Sequence, residues 1–386
     1  MNNRKTLYPH SPENPLIGWI MPTVPHYRVP VINKLNECMD FSLNIYSGQE
    51  KPGIGVGDSS GEVDANVRKL FNIYMSPKDA RVLYSLGWAR LIYDRCRVII
   101  TTEASHNLTN WLLLAGRGLF GYKVVIMGHI KPWANTNNAV SKLRKLLVTQ
   151  ADAVIAYTEE GAKQAKEWGV TKDRVISMGN TLDLNAIEFA KSSVTSEIVR
   201  SKREALGFDN APVFLFVGRP TPPKRLDLAI EATLSLEGSE HPVNLVVIGD
   251  SKDIETHKAL AGRSKRIVFL GEILNENDLA PYFALSEAVI LPGAVGLTIN
   301  HAFAYDRPLI TSRHAQHRPE IALAKEGCNT AFVEDLSANS LAETLRILHE
   351  DQGLLSRLQE GAKKTATPGM DNMVDCIILA LKNLIK

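Results

Sequence analysis

The chain has 386 residues, 45% hydrophobic and 22% charged, with a formal net charge of +2. That length exceeds one ordinary core and points to two domains, and the near-neutral balance excludes nucleic acid as the main partner, which calls for a broad basic excess. The cysteines, Cys38, Cys96, Cys328 and Cys376, stand far apart with no CxxC pair. This excludes a disulfide framework or a zinc site and fits a reducing compartment. The polar residues 1–15 do not read as a signal peptide, and no apolar run approaches the roughly 18 residues of a membrane span. A cytoplasmic protein is expected, at most peripheral at the inner face of the cell membrane.

Short apolar runs alternate with amphipathic ones, the pattern of βαβ units and a parallel sheet. In the first half the spacing predicts strands at 16–21, 41–46, 98–101, 123–127, 153–157 and 174–177. Helices are expected at 31–39, 107–119, 138–149 and 159–168. Residues 191–201 read as a connection or exposed helix near a domain junction. The second half restarts the rhythm with strands at 213–217, 244–249, 267–270, 288–291, 308–311 and 330–333. A helical pattern follows from 341 to 364, then a break at 367–369. The last segment, 373–384, sets Val374, Ile377, Ile378, Leu381 and Leu384 on one helix face. The fold class is therefore α/β, two Rossmann-like domains with parallel sheets facing a cleft. Their expected bounds are 1–190, with a C-terminal helix 370–386 packing back on it, and 205–366.

Two loops of the second half carry chemistry. The strand 213–217 runs into Gly218, Arg219 and Lys224 before a helix, and ligands bind where such strands end. Arg219 and Lys224 can reach one anion from two sides, as a departing diphosphate needs. The strand 288–291 runs into a turn with Gly293 and Gly296 and a helix near Leu297. Glycine lets backbone approach a ligand, and a helix start offers amides to an anion. Gly296, Leu297 and Thr298 are thus the expected pyrophosphate site, with His301 one turn further on, toward a ribose.

These residues resemble the retaining glycosyltransferases of family 4, which have the GT-B fold. The resemblance covers most of the chain and is strongest at 151–185 and 212–311. It implies that Gly218, Arg219 and Lys224 grip the donor diphosphate and that Gly271 opens a segment bordering the nucleotide base. The family's paired glutamates, eight positions apart, are here Gly293 and His301; a histidine can still hydrogen-bond ribose hydroxyls. A His-Ala variant of this helix is similar to one in bacterial polysaccharide enzymes of the family.

In the first half, the segments at 151–161 and 175–183 resemble the family's markers at the end of its acceptor domain. Gly128-His129 follows the strand 123–127, and the resemblance places His129 near the donor sugar. The turn holding His26, Tyr27 and Arg28, together with His106 after the strand 98–101, offers an acceptor an aromatic ring, a guanidinium and imidazoles. From 104 to 151 there is no Asp or Glu, while Arg117, Lys123, Lys131, Lys142, Arg144 and Lys145 are present. Leu143, Leu146 and Leu147 interleave with the last three, a basic amphipathic stretch at 142–147 suited to a peripheral membrane contact.

The expected activity is metal-independent transfer, with retention and no cofactor, of a sugar from a nucleoside-diphosphate sugar to a hydroxyl. The acceptor would be a glycan or lipid-linked saccharide in bacterial surface polysaccharide assembly. Two other readings stand beside it: a non-catalytic subunit binding a sugar nucleotide or a partner enzyme, and a nucleotide-sugar epimerase on the same fold.

Overall fold

In the computed structural model, residues 14–38, 40–49, 57–75, 82–131 and 138–385 are described; the N-terminal segment 1–13 and residue 39, at the end of one expected helix, lie outside them. The chain divides into two units, Met1–Asn180 with Met370–Lys386, and Thr181–Gly369.

Among the described residues, unit 1 holds a seven-stranded sheet made of β1 (Leu16–Met21), β2 (Ser42–Ser47), β3 (Asn66–Lys69), β6 (Val98–Thr102), β7 (Lys123–Gly128), β8 (Ala153–Ala156) and β9 (Val175–Ser177). All neighbours are parallel, in the order β3-β2-β1-β6-β7-β8-β9. A separate antiparallel hairpin joins β4 (Phe71–Met75) to β5 (Val82–Leu86). The helices are α1 (Val29–Asn36), α2 (Arg90–Tyr93), α3 (Leu108–Phe120), α4 (Asn138–Gln150), α5 (Glu159–Glu167) and, from the chain end, α14 (Met370–Ile385). Both sheet faces are covered, so the strands read as unbroken apolar runs. Val98, Ile100 and Ile155 face α1 and the Met373, Val374, Ile377 and Leu381 stripe of α14. Ile99, Val124 and Val154 face the opposite core, with Leu113 of α3 and Leu147 of α4. Strand β3, the polar Asn-Val-Arg-Lys, escaped the sequence reading because an edge strand needs no apolar run.

Unit 2 holds a six-stranded parallel sheet in the order β12-β11-β10-β13-β14-β15, from β10 (Val213–Val217), β11 (Asn244–Ile248), β12 (Ile267–Phe269), β13 (Ala288–Ile290), β14 (Leu309–Ser312) and β15 (Thr330–Val333). Its helices are α6 (Leu184–Ser192), α7 (Ser196–Ala205), α8 (Leu226–Leu236), α9 (Ile254–Ala261), α10 (Glu276–Leu285), α11 (Thr298–Ala304), α12 (Ala338–Glu350) and α13 (Gln352–Lys364). The division falls after Asn180, not 190, because Asp183 caps α6 and that helix packs on α10. The polar stretch after it is a second capped helix, α7, begun by the Thr195 side chain. The expected run 341–364 is two helices, since Asp351 accepts from the Leu354 amide at 2.8 Å and starts α13.

Each sheet begins with the Rossmann order 3-2-1-4, whose topological switch point lies between the first and fourth strands, at their C-terminal ends. That brings together the loops after β10 and β13 in unit 2 and those after β1 and β6 in unit 1.

Candidate functional site

At the switch point of unit 2 the two expected loops are bonded to each other. The Gly293 amide donates to the Lys224 carbonyl at 3.1 Å and the Ala294 amide to the Pro223 carbonyl at 2.7 Å. This contact explains the glycine: a Cβ on Gly293 would fall 2.0 Å from the Pro223 oxygen. No side chain, a glutamate included, fits there while the β10 loop holds this shape.

Lys224 ends a short turn, Pro222–Lys224, and its Nζ is directed back at the strand end. A Cβ on Gly218, whose φ is +104°, would lie 2.7 Å from that Nζ and 3.5 Å from Thr298 Oγ1. Lysine, Gly218 backbone and the first residue of α11 therefore meet at one point. Burial pushes the Lys224 ammonium down to about 8, helped by the charges of Arg219 and Arg318. The neighbours acting on it are both positive, which suits an anion lodging among them. The third loop cation, Arg225, is spent locally in a two-pronged pair with Asp227, at 2.8–3.0 Å.

Arg318 is the residue the sequence reading missed. It follows β14, outside both loops, and arrives because the 293–296 turn is tied to it: the Arg318 amide donates to the Val295 carbonyl at 2.8 Å. Its side chain lies against Gly296, where a Cβ would meet Arg318 Cδ at 3.2 Å. His317 clamps the same turn, its Nδ1 accepting from the Val295 amide at 3.2 Å while Nε2 lies 2.6 Å from the Ser312 carbonyl. That arrangement requires the neutral ring, and burial lowers the His317 pKa accordingly.

His301 stands on α11 but turns toward α10. Its Nε2 lies 3.0 Å from Glu276 Oε2, which also accepts from the Tyr305 hydroxyl at 2.8 Å. The imidazole packs on Phe283, with ring centroids 4.8 Å apart. Glu276 is the first residue of α10, following the segment opened by Gly271, and a cavity of about 390 Å³ is lined there by Glu272, Ile273, Leu274, Asn275 and Tyr282 among others. The sequence reading did not pair Glu276 with His301, since 25 residues separate them.

In unit 1, His129 sits at the C-terminal end of β7 in a string of contacts. Its amide donates to Glu103 Oε1 at 3.3 Å. Glycine at 128 permits this, because a Cβ there would collide with the Glu103 carboxylate at 1.6 Å. The imidazole meets the Tyr157 ring edge to face at 4.8 Å, and the Arg28 guanidinium covers that ring at 4.8 Å. Arg28 in turn donates to Asn180 Oδ1 at 2.8 Å. The next residue, Ile130, has φ +61°, a conformation that β-branched residues avoid.

The expected acceptor residues separate. His26 and Tyr27 are exposed, edge to face at 5.6 Å. Arg28 instead points inward, 4% exposed, bonded to Asn180 and touching Met373 of α14. Its donors serve unit 1 itself. His106 is exposed, with its carbonyl accepting from the Leu83 amide of β5.

Residues 199–365 match the model of the family described as glycosyl transferases group 1. Alpha-D-kanosaminyltransferase of Streptomyces kanamyceticus is 26% identical over 166 residues, 42% of each chain; the match thus spans about two fifths of that relative. Among solved structures, Anabaena Alr3699/HepE in complex with UDP has a TM-score of 0.70 at 15% identity, over 95% of this chain and 99% of that one. A glycosyltransferase from Rickettsia africae gives 0.70 at 17%, over 97% and 99%. A candidate UDP-N-acetylglucosamine 2-epimerase from Listeria monocytogenes gives 0.65 at 16%, over 96% of each. The fold of this chain is GT-B, with two Rossmann-like α/β domains.

Proposed function

We propose that this chain, a GT-B protein whose second unit carries a glycosyl transferases group 1 domain, is a retaining glycosyltransferase using a nucleoside-diphosphate sugar. The observation that carries the reading is the gathering of Arg219, Lys224 and Arg318 at the start of α11. Cations crowded at one point repel each other, and a diphosphate turns that cost into attraction. As the sugar–phosphate bond breaks, charge builds on the leaving oxygen, and these side chains with the amides of 296–298 stabilise it. Such a set meets the need without a metal ion or a cofactor. Glu276 and His301 address the ribose, and the cavity beside Gly271 receives the base. That Alr3699/HepE, which shares this fold, is seen in complex with UDP and with UDP-glucose supports a nucleotide-sugar donor.

His129 contacts a sugar hydroxyl, and Arg28 and Tyr157 hold its ring in place. His26, Tyr27 and His106 meet an acceptor hydroxyl compound, a saccharide or lipid-linked glycan of the kind used in surface polysaccharide assembly. Retention follows if the leaving phosphate oxygen takes the acceptor proton on the face it departs from.

The fold is shared with an epimerase-type protein, so fold alone does not choose; the family model and the aminosugar transferase relative favour transfer. The test is thermal stabilisation by UDP-, GDP- and ADP-sugars, wild type against Arg219→Ala. A ligand that binds only the folded state raises Tm. A shift for one nucleotide class, lost in the variant, is expected, as is a loss of about 10²–10³ in turnover. No shift with any sugar nucleotide would return the chain to a non-catalytic role. Conversion of the donor to its epimer without acceptor would make it an epimerase.

A further inference from the structure

Helix α3 carries leucines on its solvent side as well as toward the core. Its buried face is Thr109, Asn110 and Leu113. Leu108, Leu112 and Leu119, at spacings of four and seven, form a stripe turned to solvent, with Leu119 81% exposed and Phe120 beside it. The hairpin β4–β5 adjoins α3, bridged from Leu83 to Asn107. Its alternation points Asn72 and Ser85 inward, bonded at 2.9 Å, and Phe71, Ile73 and Met75 outward, with Leu86 opposite Phe71. On the other flank α4 buries Leu147 and Val148 but exposes Leu143 and Leu146, which follow the exposed Lys142 and Lys145 respectively. Exposed large apolar side chains gathered on three adjoining elements mark an interaction site.

Charge selects the occupant. From 104 to 151 the chain has no carboxylate side chain; Arg117 and Lys123 pair with Asp152 and Lys131 with Glu160, while Lys142 and Lys145 are exposed on α4. A second copy of the same face would set lysine against lysine. Anionic headgroups pair with those cations, while the headgroup–acyl boundary takes up leucine and phenylalanine. We propose that the face made by the β4–β5 hairpin, α3 and α4 docks this chain on an anionic lipid bilayer. It is wider than the basic stretch 142–147, and its apolar part comes from α3 and the hairpin. The proposal is independent of sugar transfer.

The test is co-sedimentation of the full chain with phosphatidylcholine vesicles, and with the same vesicles containing phosphatidylglycerol. Partition is expected only with the anionic lipid and should weaken with added salt. Leu112→Ser/Leu119→Ser and Lys142→Glu/Lys145→Glu should each lower it at least about tenfold. These side chains are exposed, so Tm and nucleotide-induced stabilisation should match wild type. Absence of binding to anionic vesicles, or binding that both variants retain, overturns the proposal. So does a dimer in solution that Leu112→Ser/Leu119→Ser dissociates, since a second copy would then cover the face. Failure of wild type to bind any sugar nucleotide would count against the transferase reading and leave the vesicle result standing.

Discussion

With the donor bound as proposed, Lys224 would link pH to donor binding. Its ammonium is held down to about 8 by burial and by Arg219 and Arg318. The unliganded protein therefore sheds this proton as pH rises through about 8, whereas a bound diphosphate retains it. Donor affinity should be level below that pH and fall by up to about tenfold per pH unit above it. Calorimetric titration across this range would show the fall, and Lys224→Met should abolish both the slope and most of the affinity. Stability moves the opposite way. The unfolded lysine keeps its proton up to its ordinary value of 10.5, so between about 8 and there the unfolded state binds more protons and the unliganded fold gains stability as pH rises. Glu276 offers a second test at this scale. A carboxylate bonded to His301 and Tyr305 through one oxygen has further acceptor capacity for a ribose diol. Glu276→Gln should weaken binding of the preferred nucleoside diphosphate about 10- to 100-fold. Its 2′,3′-dideoxy analogue should bind wild type and variant alike in a displacement assay; equal loss for both would assign Glu276 a structural role only.

Among elements, the turn after β13 determines where the cations stand. Gly293 lets it bond the Pro222–Lys224 turn, His317 holds it from the far side, and Arg318 arrives with that clamp. Gly293→Ala forces a methyl toward the Pro223 carbonyl and must displace the turn that carries Lys224. We expect a cost of about 1–3 kcal/mol in chemical denaturation, with loss of nucleotide-induced stabilisation at the same time. A variant that loses stability but keeps nucleotide affinity would show that the two turns are not coupled. In unit 1 the comparable element is the string Asn180–Arg28–Tyr157–His129. It explains why an arginine chosen from sequence as an acceptor contact lies inside: a cation at the start of α1 finds an aromatic face and an amide oxygen there.

At the scale of the whole molecule, the chain returns to its first unit to finish it. Met373, Val374, Ile377 and Leu381 of α14 complete the core under β1, β6 and β8. Ending the chain at residue 369 should therefore loosen unit 1 and leave unit 2 intact. Hydrogen exchange should show lost protection in β1, β6 and α1, with β10, β11 and β13 unchanged. Nucleotide-induced stabilisation of the donor half should survive; its disappearance would mean that α14 supports both units. No helix among the described residues is long and apolar enough to cross a membrane.

The sequence by itself determined two α/β halves, the parallel-sheet strands other than β3, though not the β4–β5 hairpin, and the loops bearing Arg219, Lys224, Gly293 and His129. These follow from local rules: an apolar run that must be buried on both faces, a glycine where backbone turns, a cation where a strand ends. The tertiary structure alone decided what those residues meet. Arg318 reached Lys224 and Glu276 reached His301 because sheet order and register brought distant loops to one edge. Arg28 turned inward because Tyr157 and Asn180 awaited it, and β3 paired without an apolar run because its neighbour β2 supplied the ladder. Periodicity is written along a chain, whereas proximity across a sheet depends on which strands pair, and that is fixed only when the whole core is buried.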